Sequence, residues 1–526
     1  MELISHNNTD QYLDLKSEPS TRLASSPAHD PRSGDAALAF IRQQRALHSD
    51  AAPVDEKELL KKIDYRIVPI MFACYTMQFI DKVNINYAAV MGLNQDLRLK
   101  GNEFSWCATA FFIAFLFAEI PTGIILQKLP TAKYLGFSVI MWGITTACTA
   151  ACHDFAGLLI VRIFLGAFEA AIAPCLILIT SMWYTKSEQV PRMSLWYSGL
   201  GIGQIFGGLV SYGFQHVESS FASWRVMFLA LGGVTTAIGI WTLWKLPDTP
   251  MSSTWLTEQE RLAVLEKVEK NQTGVSSTEF KPNQLKEVFT DPQIWALVLF
   301  TILISISSGV ITTYSATVIR SFGYTPRLTA LLNMPSGVVS ILSTVLSGII
   351  VGRSSTRSLW IAGLCIPGIV GGSLMSFLSD RQKAGNLIGI YLVNAITATL
   401  ILVYTWLAAN VAGHTKRIAA SVVVSGSFSI GSIIGPMTFQ AKDAPGYFPA
   451  KVTVLATQGA AAMVALALRF YYDFENRRRD RIERENAGED KSETMSNVEW
   501  MNRMPIKDDR VYLRLKHRIL TGPFAP

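Results

Sequence analysis

Long apolar stretches follow one another along most of this 526-residue chain, and short polar segments separate them. Each stretch holds about 20–25 residues, the length that an α-helix needs to cross a hydrocarbon core ~30 Å thick. The longest polar interruption, 247–291, leaves six stretches on either side. The pattern predicts twelve membrane-spanning helices, with approximate bounds 67–91, 104–127, 134–152, 156–181, 193–215, 225–246, 293–318, 328–351, 358–379, 386–409, 418–440 and 450–472.

The polar segments divide the chain into five regions. Residues 1–62 are rich in Ser, Asp and Pro and show no apolar period, so we expect a disordered tail. After residue 473 the chain becomes charged and stays polar to its end. The regions are therefore an N-terminal tail at 1–62, a six-helix half at 63–246, a central loop at 247–291, a second six-helix half at 292–473 and a C-terminal tail at 474–526.

The basic residues decide the expected orientation. The chain has 47 basic and 40 acidic side chains, a net charge of +7, which we assign to loops and tails and not to nucleic-acid binding. Short loops on the two sides carry similar numbers of basic residues, so the flanks decide: Lys61, Lys62 and Arg66 precede the first span and Arg477–Arg479 follow the last. With an even number of spans, the positive-inside rule places both tails and the central loop in the cytoplasm.

Four charged side chains interrupt the apolar spans. Asp81 and Lys82 lie in the first span, and Arg162 and Glu169 lie in the fourth. An ionisable group in hydrocarbon costs on the order of 3 kcal/mol or more and usually marks a substrate or proton pathway. Counted along ideal helices from the same side, Arg162 lies about 9 Å deep, Asp81 about 15 Å and Glu169 about 20 Å. We therefore predict one shared site; the alternative is that Asp81–Lys82 and Arg162–Glu169 are internal ion pairs that only fix helix packing.

Other polar groups in the spans could complete such a site. Each could equally hydrogen-bond a neighbouring helix, and the candidates are Asn84, Tyr87, Gln204, Tyr314 and Asn394. Glu119, beside Pro121, is interpreted as a structural or gating residue. Glycines in the fifth and eleventh spans indicate close helix packing, helix bending, or both. No Cys or His spacing indicates a metal site, and we expect no metal and no cofactor.

Several short segments resemble a known family. Six-plus-six spans around a central loop resemble the major facilitator superfamily, and the order of the segments resembles its anion:cation symporter family, within that the fungal allantoate permease group. The segments are DYRIVPIM (64–71), QFIDKVNINYA (78–88), RIFLGAFEA (162–170), LPDTP (246–250), AGHTKR (412–417) and KDAPGY (442–447). One departure is Gln127, where the superfamily's loop between the second and third helices usually carries an acid.

The resemblance implies an all-α integral membrane protein with two pseudo-symmetric six-helix halves around a central cavity. It implies that Lys82 and Arg162 contact a substrate carboxylate, and that Asp81 and Glu169 carry protons. The expected partners are a small organic anion, protons and the lipid bilayer. We expect a monomer in the plasma membrane.

The sequence therefore predicts a secondary transporter and not an enzyme. The leading function is proton-coupled import of a small carboxylate such as allantoate, ureidosuccinate, nicotinate, pantothenate or another vitamin or metabolite. Two alternatives stay open: a facilitator that exports a metabolite, and a nutrient sensor that binds its ligand without moving it. A membrane enzyme is disfavoured, because His153, His216 and His414 lie at span edges and no nucleophile motif occurs.

Overall fold

The computed structural model describes residues 54–217, 220–272, 282–353, 357–379, 381–411, 414–444 and 446–486. Throughout these residues the regular structure is helical, and twelve helical regions correspond to the predicted spans. Their bounds are α1 Glu56–Met91, α2 Glu103–Lys128, α3 Thr131–Cys148, α4 Phe155–Glu169 and Ile172–Trp183, α5 Lys186–Tyr197 and Gly199–Phe214, α6 Ser223–Lys245, α7 Pro292–Ser321, α8 Pro326–Leu332 and Met334–Arg353, α9 Arg357–Phe377, α10 Lys383–Val393 and Thr397–Asn410, α11 His414–Met437 and α12 Phe448–Asn486.

Ten of these described regions are long and apolar enough to cross a membrane. The other two, α1 and α5, fall short for local reasons. Polar and charged residues around Asp81 and Lys82 interrupt the middle of α1, and α5 divides at Ser198, with a polar segment before the break. The polar groups Gln78, Asp81, Asn84 and Asn86 of α1 are buried inside the bundle. With α1 and α5, the structure has the twelve-helix fold that the sequence predicts, and that prediction is confirmed.

Two helix ends differ from the predicted boundaries. α1 begins at Glu56, before residue 63, because the Asp55 carboxylate accepts the Lys57 N–H at 2.8 Å and caps the first turn. Part of the segment predicted to be disordered is therefore helical, and residues 1–53 lie outside the described residues. At the other end, α12 continues to Asn486, past the boundary predicted at 473, and the chain beyond it is not described.

The segment between α6 and α7 packs on the first half. Its helix Glu258–Gln272 lies at the end of the bundle where α1 begins, which we call the loop end; the other end is the opposite end. The Lys62 ammonium donates to both carboxylate oxygens of Glu260 at 2.8 and 2.7 Å. Partial burial opposes ionisation of Glu260, but the hydrogen bonds from Lys62 and from the Thr257 N–H are stronger and hold its pKa below the usual value. Trp255 stacks on Trp183 with ring centroids 5.6 Å apart.

The halves meet where α1 contacts α7, α2 contacts α11 and α5 contacts α8. The backbones of α5 and α8 come close together at two glycines. A Cβ atom added at Gly201 would lie 2.6 Å from the Gly337 carbonyl oxygen, and one added at Gly337 would collide with the Gly201 carbonyl. Only hydrogen fits at these two positions, so the helices approach as closely as backbones allow.

Candidate functional site

A cavity lies between the two halves, in the middle of the bundle. With the solvent that it opens to, its space is about 680 Å³. Its wall comes from α1, α2 and α5 of the first half and from α7, α10 and α11 of the second. The lining residues are Tyr75, Gln78, Phe79, Lys82, Phe112, Tyr197, Leu200, Ile304, Ser305, Ser308, Thr312, Ile396, Thr397, Leu400, Phe428 and Ser432.

Lys82 brings a charge to this wall. Its ammonium nitrogen lies 3.2 Å from Oε1 of Glu169, which ends the first segment of α4; the Lys82 side chain is 13% exposed and Glu169 is fully buried. The rings of Phe111, Phe112 and Phe115 lie 5.6–5.9 Å from the same ammonium. The sequence suggested Asp81–Lys82 and Arg162–Glu169 as the two possible ion pairs. The structure instead pairs Lys82 of α1 with Glu169 of α4.

Arg162 lies two turns before Glu169 and is 3% exposed. Its guanidinium lies over the Phe111 ring, 4.8 Å from the centroid, outside the cavity lining. The close approach of α4 to α2 is possible because Gly166 has no side chain: a Cβ there would collide with the Phe111 carbonyl. The Arg162 Nε–H has no hydrogen-bond partner among the described residues. Arg162 therefore keeps an unfilled donor in a buried place, which is costly unless a ligand fills it.

Asp81 turns away from its neighbour in sequence. It is buried and accepts a hydrogen bond from the Thr235 hydroxyl on α6 at 3.1 Å, while its second carboxylate oxygen has no partner among the described residues. Adjacent residues on an α-helix point about 100° apart, so Lys82 reaches α4 while Asp81 reaches α6. The structure brings Lys82 and Glu169 together and places Asp81 on another face of α1.

Two predicted site residues join the halves near the opposite end. The Tyr87 hydroxyl donates to the Gln204 carbonyl at 3.4 Å and accepts from the Asn333 amide at 3.1 Å. Tyr314 hydrogen-bonds the Ser105 hydroxyl and stacks on Phe439, with centroids 4.2 Å apart. Neither Tyr87 nor Tyr314 belongs to the cavity lining, and their contact with substrate stays a prediction.

The remaining three predicted polar residues are buried outside that lining. The Asn84 and Gln204 amide nitrogens have no partner among the described residues. Asn394 lies at the break in α10, where its side-chain amide donates to the Ile390 carbonyl at 2.9 Å and its own carbonyl accepts from the Thr397 hydroxyl at 3.0 Å. The contacts of Asn394 therefore stabilise a change of helix geometry.

Sequence reasoning missed the residues that close the opposite end. The Asn86 amide donates to the Ser315 hydroxyl at 2.8 Å, and its oxygen accepts the Ala316 N–H at 3.1 Å. The Asn333 amide also donates to Ser315, at 3.0 Å. These bonds connect α1, α7 and α8. A sequence signal existed, because Asn86 lies in the same apolar span as Asn84.

The loop end has fewer described bonds between the halves. Ser425 on α11 donates to the Glu119 carboxylate on α2, and the Tyr197 hydroxyl donates to the Thr397 carbonyl at 3.3 Å. Glu119 therefore joins the two halves, as the interpretation of a structural or gating residue expects. The serines and aromatic residues of the cavity wall were also missed, since similar residues occur throughout the spans.

Comparisons with known proteins agree with this architecture. The family model of the Major Facilitator Superfamily matches residues 71–437. The chain is 36% identical over 465 residues to the thiamine pathway transporter THI73 of Saccharomyces cerevisiae, covering 85% of this chain and 88% of that protein. It is 29% identical over 466 residues to the allantoate permease of the same yeast, covering 86% of each. The resemblance drawn from the motifs is confirmed.

Solved structures show the same fold. The D-xylose-proton symporter superposes with a TM-score of 0.58 at 14% identity, over 76% of this chain and 97% of that one. A bacterial homolog of the human lysosomal transporter Spinster, inward-facing and occupied, gives 0.57 at 16% identity, over 77% and 96%. At these identities the similarity concerns the fold alone. By the family match and the 36%-identical relative, the chain belongs to the Major Facilitator Superfamily and is an integral membrane transport protein.

Proposed function

We propose that the protein is a proton-coupled symporter that moves a small organic anion across the membrane by alternating access. The observation that carries the proposal is the arrangement of Arg162, Lys82 and Glu169. Arg162 holds a buried donor without a described partner, and Lys82, at the cavity wall, uses Glu169 as its counterion. The two cations can bind a substrate carboxylate, and the titratable acid beside them can bind a proton.

The ion pair offers a route to coupling. When a substrate carboxylate takes the place of Glu169 beside Lys82, the Glu169 carboxylate loses its counterion in a fully buried place. A buried, uncompensated carboxylate is expensive, so Glu169 takes up a proton from the side that faces the open cavity. Release of the anion on the far side restores the Lys82–Glu169 pair and expels the proton. One proton then crosses with one carboxylate.

Asp81 is the second proposed proton carrier. Its position against Thr235, away from Lys82, supports a smaller role than that of Glu169. Asn84, Tyr87, Gln204, Tyr314 and Asn394 stay proposed substrate contacts, reached as the halves move. We also propose that both termini face the cytoplasm, that the protein lies in the plasma membrane and that it works as a monomer.

Allantoate is a reasonable first substrate to test. It is the compound named for the 29%-identical permease, and it is a carboxylate, which two basic side chains accommodate. The 36%-identical relative carries a different compound in its name, so a panel of carboxylates and vitamins belongs in the same experiment.

The experiment is uptake into liposomes that contain the purified protein. With the interior at pH 7, protein-dependent uptake is expected to rise as the external pH falls from 7 to 5, and a protonophore should abolish accumulation. A negative interior opposes a lone anion by about 2.3 kcal/mol per 100 mV, and one co-transported proton removes that penalty. Protein-free liposomes correct for diffusion of protonated acids.

Three other results would each change the assignment. Uptake that does not vary with pH and resists the protonophore would indicate a uniporter or an exchanger. Flux that is faster out of the liposomes than into them, at equal gradients, would favour export. Saturable binding without any flux would indicate a nutrient sensor.

A further inference from the structure

Two serine hydroxyls of the second half meet the cavity without a hydrogen-bond partner. Ser305 on α7 and Ser432 on α11 both line the cavity, and each residue is only 1% exposed. Neither hydroxyl oxygen has a partner among the described residues. Buried hydroxyls are usually satisfied, since an unpaired one costs free energy, so two at one wall point to a missing ligand.

Two other buried serines of these helices already have partners. The Ser307 hydroxyl pairs with Thr457 at 3.0 Å, and the Ser427 hydroxyl donates to the Val423 carbonyl one turn earlier at 2.7 Å. Both are as buried as Ser305 and Ser432, but neither lines the cavity. The Ser429 hydroxyl on α11 is also buried without a partner, but it lies outside the lining. Ser305 and Ser432 therefore differ from the other three because they combine an unpartnered hydroxyl with a place in the cavity wall.

Close packing of α7 on α11 holds the two serines together. A Cβ added at Gly431 would lie 2.6 Å from the Ser305 Cβ, and one added at Gly309 would lie 3.1 Å from the Ser432 Cα. Each serine therefore packs beside a glycine of the other helix. The pair is fixed by backbone contact and is prearranged for a ligand.

The charge of the wall limits what this pair can bind. Among the described residues that line the cavity, Lys82 is the only one with a formal charge, and it lies on the first half. A second carboxylate placed against Ser305 and Ser432 would find hydroxyl donors but no cation to compensate it. An uncharged group that both accepts and donates hydrogen bonds fits better, because a serine hydroxyl can do either.

We infer that Ser305 and Ser432 form a neutral recognition site for the end of the substrate that lies away from its carboxylate. The substrate is then a monocarboxylate with an uncharged carboxamide- or urea-type group at the other end. This inference rests on the proposed function, because it takes the carboxylate to lie on the Lys82 side. It adds a specificity site on the second half, which discriminates against dicarboxylates and against purely aliphatic acids.

The test uses three acids with one skeleton and different ends: succinamate, succinate and 4-methylpentanoate. Each is titrated against the purified full-length protein, and ligand-induced thermal stabilisation gives the half-saturating concentration. Succinamate is expected to half-saturate at a roughly tenfold lower concentration than either other acid, about the effect of a well-placed hydrogen bond. In the double variant Ser305→Ala/Ser432→Ala this preference over 4-methylpentanoate should disappear, while 4-methylpentanoate itself binds as before.

Controls separate recognition from folding. Ser427→Ala removes an equally buried hydroxyl of α11 that already has a partner, and it should keep the preference. If the double alanine variant does not fold, the single variants Ser305→Ala and Ser432→Ala replace it in the same titrations. Each single variant is expected to weaken the preference for succinamate.

Several outcomes overturn the inference. They are equal half-saturation by succinamate and 4-methylpentanoate, tightest binding of succinate, a preference that survives the double alanine variant, and no stabilisation by any of the three acids. Failure of the proposed function gives a different pattern: Lys82→Ala would then leave the binding of all three acids unchanged, whatever the serine variants do.

Discussion

The two halves of the cavity differ in the kind of polar group that they supply. Near the cavity, α1 and α4 of the first half contribute Lys82, Glu169 and Arg162, while α7 and α11 of the second half contribute the unpaired hydroxyls of Ser305 and Ser432. Separating two buried charges is expensive, whereas separating hydroxyls from a neutral group costs far less. An arrangement with all the charge on one half lets the other half move during transport without breaking an ion pair.

The largest expected effect comes from removing Arg162, the buried cation whose Nε–H has no described partner. Arg162→Ala should lower uptake at least ~100-fold, since a bidentate contact to a carboxylate is lost, and Arg162→Lys should also transport poorly because an ammonium is a point charge. The measurement is initial uptake into liposomes with equal amounts of inserted protein. Lys245→Ala, at the end of α6, is the matched control and should transport normally.

Normal transport by Arg162→Ala would remove Arg162 from the substrate site. Loss of folding or membrane insertion, seen by size-exclusion chromatography, would instead favour a packing role for Arg162.

A smaller but more selective effect is expected at the titratable acid of the first half. Glu169→Gln keeps the shape of the side chain and removes its titration, so proton-driven accumulation should fall to the equilibrium ratio while exchange of labelled for unlabelled substrate continues. Glu103→Gln, in the first turn of α2, is the control and should accumulate substrate normally. Accumulation by Glu169→Gln that still follows an imposed pH gradient would contradict the role of Glu169 as a carrier.

Asp81 tests whether the two acids of the first half are equivalent. Because Asp81 faces Thr235 and not Lys82, we expect Asp81→Asn to reduce accumulation by only about threefold, a modest loss for a buried hydrogen bond that an amide partly replaces. Thr235→Val, which removes the donor to Asp81, should give a loss of the same size. If Asp81→Asn alone abolished accumulation, the proton site would move from α4 to α1.

The smallest effect is expected at the surface ion pair between Lys62 and Glu260. Glu260→Gln should lower the free energy of unfolding by about 1 kcal/mol or less, as for most solvent-accessible pairs. Since the folded-state pKa of Glu260 is lowered, the pair stabilises the protein above the unfolded-state value of about 4.3, and this stabilisation is lost as the pH falls through the folded-state pKa.

Thermal unfolding in detergent checks this sign. The difference between wild type and Glu260→Gln should be constant from pH 7 to about 5.5 and should vanish in stronger acid. A difference that grows as the pH falls would show that Glu260 does not act through its charge.

The fold was predictable because its signal is long and repeated. Twelve apolar stretches of bilayer length leave few other architectures, and Lys82 and Arg162 stand out because charge is rare within such stretches. The helix ends were less predictable: the cap at Asp55 starts α1 inside a segment whose composition resembles a disordered tail.

The partners of each site residue depend on helices far away in sequence. Asp81 and Lys82 are neighbours in the sequence, and the residues around them do not show that Asp81 contacts α6 whereas Lys82 contacts α4. Ser305 and Ser432 were missed for a related reason: serines are frequent in these spans, and only an unpartnered hydroxyl together with a place in the cavity wall distinguishes these two. Such information exists only once the helices are packed.

The backbone contact at Gly201 and Gly337 has a mechanical consequence. At each glycine the partner helix also places a side chain: a Cβ at Gly201 would lie 2.5 Å from the Ile341 Cγ1, and one at Gly337 would lie 2.8 Å from the Ile205 Cγ1. Each missing side chain therefore leaves a notch for an isoleucine of the other helix, and the two notches fix the register in which the halves meet. A single methyl group at either glycine would displace that isoleucine and push the two helices apart.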